Sequence, residues 1–168
     1  MILYGTIHHV GDSVTTDDII PHELRGAGDP ALLAAHCLAT LAPAIAEAAR
    51  EGDVLLAGHN FGIGGDADAA VLALQALGFA AVICAGADAE FVETAAAYGL
   101  PVLISSAATS MMPGTIVRID LASGKITDRS NGAVFQTTPC PAVLVATVRR
   151  AQLLVRMRRV VEEEGFDG

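Results

Sequence analysis

The stretch that most constrains this chain runs from residue 58 to residue 83, GHNFGIGGDADAAVLALQALGFAAVI. It follows the apolar run Val54-Leu55-Leu56-Ala57 and opens with the glycines Gly58, Gly62, Gly64 and Gly65. Ala67, Ala70, Val71, Leu74 and Leu77 then recur at three- and four-residue steps, the period of one helix face. Gly78 interrupts that period, and Ala80 to Cys84 is a second apolar run. A strand feeding a glycine-rich turn feeding a helix start gathers free backbone N–H groups and a positive dipole end at one point. Such a point suits an anion. Asp66 stands at the N-cap position, where its carboxylate is expected to take those amides for itself.

The same pattern repeats downstream. Gly86 leads to Asp88, a second expected N-cap, then to a helix from Ala89 to Tyr98, a stop at Gly99 and a strand from Pro101 to Ile104. Two strand–turn–helix units in succession imply parallel strands joined by crossover helices. Upstream, residues 2 to 9 (ILYGTIHH) read as a first strand. Residues 11 to 24 (GDSVTTDDIIPHEL) read as an ordered polar loop in which Asp12, Thr16, Asp17 and Asp18 bond to nearby amides. Asp29-Pro30 marks a helix start, and Pro43 opens another helix ending near Arg50. From residue 113 the chain alternates: GTIVRIDL, a turn at Ser123-Gly124, KITD and AVFQT give a small antiparallel meander. A last helix spans about Val143 to Glu164. It carries Arg149, Arg150, Arg156, Arg158 and Arg159 on a solvated or subunit-facing surface. The expectation is one α/β domain over residues 1–168.

Composition narrows the function. Apolar residues make up 52% of the chain and aromatics 4%, with no Trp, so the core is packed from Ala, Val, Leu and Ile. A formal charge of −9 argues against nucleic acid, which needs a basic face. Cys37, Cys84 and Cys140 stand far apart with no C-x-x-C, indicating buried thiols in a reducing cytoplasm rather than disulfides or a metal knuckle. MILYGTIHHV has neither the basic nor the apolar region of a signal peptide. Residues 69–87 are uncharged and long enough to suggest a membrane span, but Gly78 divides them into a helical and a β-rich half. The expected protein is cytoplasmic.

Three features in order resemble a known family: TTDDIIP at residues 15–21, GHNFGIG at 58–64, and ALQALGFAAVI followed by AAAYGLPVLI. Together they are similar to the small subunit of 3-isopropylmalate dehydratase, equivalent to the swivelling domain of aconitase, over nearly the whole chain. The resemblance implies a swivelling β/β/α fold that closes over a large subunit. It also implies that the large subunit, not this chain, holds a [4Fe–4S] cluster, and that none of the cysteines here ligates it. The pair would eliminate and re-add water on a hydroxy-dicarboxylic acid.

Carried over residue by residue, the resemblance keeps Thr16, Asp17, Ile20, Pro21, Asn60, Phe61, Gly62, Gly64, Gly99 and Pro101. It points to Thr16, Asp17, His59, Asn60, Gly62, Gly64 and Gly65 as substrate-binding positions. The family continues its glycine loop with Ser-Ser-Arg-Glu-His, whose first Ser is the base. Here Gly65, Asp66, Ala67, Asp68 and Ala69 stand instead, leaving Asp66 and Asp68 as the catalytic carboxylates. Ala89, Val92-Glu93-Thr94 and His22-Glu23 replace further family positions that usually carry Arg. Between Glu51 and Ile104 there is no Lys or Arg against seven acids, and His59 is the only cation candidate in the loop. Three readings follow: a hydro-lyase subunit whose partner supplies cations, a subunit that has kept the fold and lost the chemistry, and a divalent-cation site built from His59, Asp66, Asp68, Asp88 and Glu90. A homo-oligomer is compatible with each of them.

Overall fold

The structure is a computed structural model and describes residues 1–26 and 28–165. Strands β1 (Ile2–His9), β2 (Val54–Leu56), β3 (Ala81–Cys84) and β4 (Val102–Ile104) run parallel to their neighbours in the order β4-β3-β2-β1. The meander follows as β5 (Ile116–Asp120), β6 (Lys125–Asp128) and β7 (Val134–Gln136), antiparallel throughout. The two halves are one sheet. β1 joins them, pairing Ile7 with Val54 on one edge and Leu3 with Ile119 on the other.

Burial explains why β2 and β3 read as unbroken apolar runs. Leu55, Val82 and Cys84 enter a cluster on one face with Leu33, Val71, Leu74 and Phe91. Val54, Leu56, Ala81 and Ile83 enter the cluster on the other face with Val117, Ile119, Val145 and Val148. Parallel strands covered on both faces have no solvent side and therefore no polar alternation. The first face is covered by α1 (Thr16–Ile19), α2 (Pro30–His36), α4 (Ala67–Leu77) and α5 (Ala89–Ala97), with α3 (Pro43–Ala48) between α2 and β2. The second face receives the start of α6 (Ala142–Glu163) and the short turn at Ala107–Ser110.

The expected elements are all present, most with ends shifted by one or two residues; the helix expected from ALLAAHCLATL, residues 31–41, is the exception and stops at His36. Asp29 caps α2 as its sequence suggested, accepting from the Ala31 N–H at 3.0 Å, with Pro30 in the first turn. The loop at residues 11–24 is more ordered than expected. Thr15, not Thr16, caps a helical turn, and Thr15 and Asp18 satisfy each other's amides in a capping box. No helix among the described residues is long and apolar enough to cross a membrane.

Candidate functional site

The segments leaving β1, β2 and β3 meet above the C-terminal ends of the parallel strands, the usual position for a ligand site in such a sheet. They are laced by backbone hydrogen bonds. Gly58 N–H donates to Gly11 O, Ser13 N–H to His59 O, Gly62 N–H to Val14 O, and Thr16 N–H to Ile63 O, at 2.7–3.1 Å. Across the other side, Phe61 N–H donates to Gly86 O and Asp88 N–H to Phe61 O. Asp12 also reaches over to accept from the His59 N–H at 2.7 Å. Of the four polar side chains expected to bond locally, only Asp18 does. Asp12 and Thr16 are spent on contacts 47 and 49 residues away along the chain, and Asp17 on the Arg25 guanidinium.

Two glycines are required by this packing. Gly62 has φ +82°, and a Cβ there would lie 2.5 Å from the Phe91 ring, which is fully buried. At Gly64 a Cβ would lie 2.5 Å from Thr16 Oγ1, the hydroxyl that donates to Gly65 O at 2.7 Å. Gly65 differs: it is exposed, and the nearest atom to an added Cβ is Arg25 Nη1 at 4.0 Å. A side chain fits at Gly65 without displacing anything.

Asp66 does not cap α4. It adopts the left-handed conformation (φ 63°, ψ 50°), and its side chain makes no cap hydrogen bond. An N-cap aspartate normally sits in the extended region, which turns its carboxylate back over the first helical amides. Here the backbone turns it away, and Arg25 Nε holds it at 3.1 Å from Oδ2. The same guanidinium donates to Asp17 Oδ1 at 2.5 Å. Among the described residues no side chain therefore occupies the amides opening α4, and a cation stands beside Gly65. Both points correct the expectation from sequence, in which Asp66 blocked the amides and His59 was the only cation near the loop. Asp88 likewise makes no side-chain cap on α5.

The remaining expected site residues divide. His59 and Asn60 are exposed on the loop, Asn60 with φ 58°. Asp68 lies beside the Tyr98 phenol, whose pKa is raised chiefly by that carboxylate, so it faces α5 rather than the glycine loop. Ala67, where the family has Arg, belongs to the buried core. His59, Asp66, Asp68, Asp88 and Glu90 do not converge: among the described residues no three His, Cys, Asp or Glu side chains gather to hold a metal. Cys37 and Cys84 are buried in the core, where desolvation pushes their thiols up to about 12 and about 11. Arg25 was legible only as a lone Arg after His22-Glu23-Leu24; nothing in its spacing announces the loop it serves.

This arrangement, a glycine loop crossed by the α1 turn at the end of a mixed sheet, defines an aconitase-type swivelling subunit. The fold superposes on a crystal structure of 3-isopropylmalate dehydratase from Methanocaldococcus jannaschii with a TM-score of 0.81 and 29% identity, covering 98% of this chain and 99% of that one. By sequence the chain is 32% identical over 163 residues to the 3-isopropylmalate dehydratase small subunit of Moorella thermoacetica, covering 96% of this chain and 98% of the relative. It is 33% identical over 160 residues to the small subunit of Caldanaerobacter subterraneus, covering 95% and 99%. No protein-family model matches the chain. The chain belongs to the 3-isopropylmalate dehydratase small-subunit family.

Proposed function

We propose that this chain is the swivelling subunit of a hydro-lyase that dehydrates and rehydrates a small hydroxy-carboxylic acid. It closes its glycine loop over a large subunit, which, by the resemblance, carries the [4Fe–4S] cluster. The observation that carries the reading is the pairing of side-chain-free helix amides at the start of α4 with the Arg25 guanidinium beside Gly65. One substrate carboxylate binds there, between N–H groups and a cation that compensate its lost hydration.

Thr16, Gly62, Gly64 and Gly65 shape the floor of that subsite, and Asp17 steers Arg25 into it. The family's serine is absent, so the proton on the carbon next to the departing hydroxyl passes to Asp66, the carboxylate nearest the loop. Arg25 keeps that carboxylate oriented and offsets the repulsion between it and an anionic substrate. Repulsion between two carboxylates 4 Å apart is about 4 kcal/mol at an effective dielectric near 20, so the Arg25 contact decides whether the site accepts its substrate. Asp68 lies on the side of α4 towards Tyr98 and takes no direct part.

The test is to co-express the chain with its cognate large subunit, confirm an intact cluster, and follow isomerisation of isopropylmalate and citrate. The expected result is turnover of one of these acids that Asp66→Asn abolishes. A complex with an intact cluster and no turnover of either acid overturns the proposal.

A further inference from the structure

We infer that Thr16 is a positioning residue: its hydroxyl, acting through the Gly65 carbonyl, keeps the first amides of α4 open and Asp66 turned off them. This role rests on the carboxylate subsite proposed above and explains what stops that subsite from closing on itself. Thr16 is 2% exposed, so it reaches the site through Gly65 rather than by touching a substrate. Its own place is fixed by its neighbours. The Thr16 N–H donates to Ile63 O at 3.0 Å, Thr16 O accepts from the Ile20 N–H at 3.0 Å, and Thr15 and Asp18 close a capping box around the turn. From there Oγ1 donates to Gly65 O at 2.7 Å, an approach that Gly64 permits because a Cβ there would collide with the hydroxyl.

A trans peptide is planar, with its C=O and N–H pointing in opposite directions. The Gly65–Asp66 peptide is trans, so fastening Gly65 O to α1 aims the Asp66 N–H away from α1. Asp66 is left-handed, and Ala67 begins the right-handed α4. Successive residues of opposite hand set their N–H groups around one concavity, which suits an anion. Here those groups belong to Asp66, Ala67 and Asp68. Among the described residues none of the three donates to a backbone acceptor or to a capping side chain.

The closed alternative is one peptide rotation away. Asp66 holds φ 63°, which costs an L-residue free energy, whereas Gly65 tolerates a wide range of ψ. Turning the Gly65–Asp66 plane over changes ψ of Gly65 and φ of Asp66 together, and returns Asp66 to negative φ. From that side an aspartate caps its helix, with the carboxylate on the first-turn amides. The site then holds its own side chain in place of a substrate. Arg25 opposes this by holding the carboxylate, and Thr16 opposes it by holding the peptide that carries it. A methyl group cannot take over, because a carbon in the place of Oγ1 crowds the oxygen that the hydroxyl attracts.

The full chain is titrated with citrate and followed by amide NMR. Citrate is expected to shift the Asp66, Ala67 and Asp68 resonances of the parent. Thr16→Val should weaken that binding by roughly tenfold, and Thr16→Ser, which keeps the hydroxyl, should stay within about threefold of the parent. In an Asp66→Ala background Thr16→Val should make little difference, because no carboxylate remains to occupy the amides. A crystal structure of Thr16→Val should show Asp66 at negative φ, capping α4. Thr16→Ala carries the same expectations if the valine variant does not fold. The positioning role alone is overturned by an Asp66 that stays left-handed in the variant, or by citrate binding equal to the parent's. A loss that is the same with and without the Asp66 carboxylate overturns it too. Parent amides indifferent to citrate overturn the subsite itself, and the role of Thr16 with it.

Discussion

Arg25 places its Nε 3.1 Å from Asp66 Oδ2 and its Nη2 2.5 Å from Asp17 Oδ1, so one guanidinium ties the α1 loop to the start of α4. The Arg25 side chain keeps 25% of its exposed area, Asp66 43% and Asp17 61%. Ion pairs this open contribute on the order of 0–1 kcal/mol to stability. The contact matters through geometry. It draws Asp66 off the helix amides and sets a cation where the family sequence would have led one to look for it elsewhere.

Arg25→Gln is therefore expected to leave folding almost untouched and to damage binding. The melting temperature should change by no more than an exposed ion pair allows, about 1 kcal/mol. The KM for the carboxylic acid in the assembled enzyme should rise by roughly tenfold or more, the effect of losing a charge-assisted contact of about 1.5–3 kcal/mol. Steady-state kinetics together with a thermal melt separate the two. An unchanged KM would show that Arg25 does not touch the substrate.

Gly62 and Gly65 give opposite expectations within one loop. Gly62→Ala drives a methyl into the buried Phe91 ring at positive φ, and should cost about 2–4 kcal/mol by urea denaturation. Gly65→Ser meets nothing closer than 4.0 Å, so the variant should fold with the stability of the parent. It also restores the hydroxyl that the family uses as a base. If Asp66 already serves that role, Gly65→Ser changes turnover little, and a large gain in turnover would move the base to the serine position.

The parts of the fold that were legible in the sequence are those set by local rules. Periods of three and four residues gave α4, and glycines at 78 and 99 closed α4 and α5, with Gly78 taking the left-handed C-cap conformation. The alternation of GTIVRIDL gave β5. What the sequence could not supply was set by distance along the chain. Nothing local says that β1 joins the parallel strands to the meander, because its two neighbours come from residues 54–56 and 116–120. Nor does the absence of cations between residues 51 and 104 describe the site, since its cation arrives from residue 25 by way of the α1 turn. Asp66 illustrates the same limit. Its type and position predict a cap, but its φ of 63° does not permit one.

Asp53 is a second acid whose role is long-range. It is 8% exposed and accepts from His8 Nε2 at 2.7 Å, from the Arg50 N–H at 2.9 Å and from the Thr6 N–H at 3.4 Å. It thereby locks β1 to the turn that enters β2. Asp53→Ala leaves those donors without a partner in a nearly dry site and should lower stability by about 2–4 kcal/mol in urea denaturation. Asp53→Asn keeps one carbonyl acceptor and should cost less. Equal losses for the two variants would mean that packing, not the hydrogen bonds, holds this junction.

The buried thiols predict how the fold responds to alkali. Burial raises Cys37 from 9.0 to about 12, and raises Cys84 to about 11 against a smaller lowering by the Gly86 amide. Below pH 9 both thiols are neutral, folded or unfolded, and their full contribution to stability is present. Above pH 9 the unfolded chain releases these protons while the folded chain retains them, so stability falls as pH rises towards about 12. Urea midpoints measured across that interval should decline, and Cys37→Ala should make the decline shallower. The same burial makes thiol chemistry selective. In the native protein at pH 8 a disulfide reagent should modify Cys140, which is only partly buried, well before Cys37 or Cys84. Equal rates at all three positions would contradict the closed packing of α2 and α4 over β3.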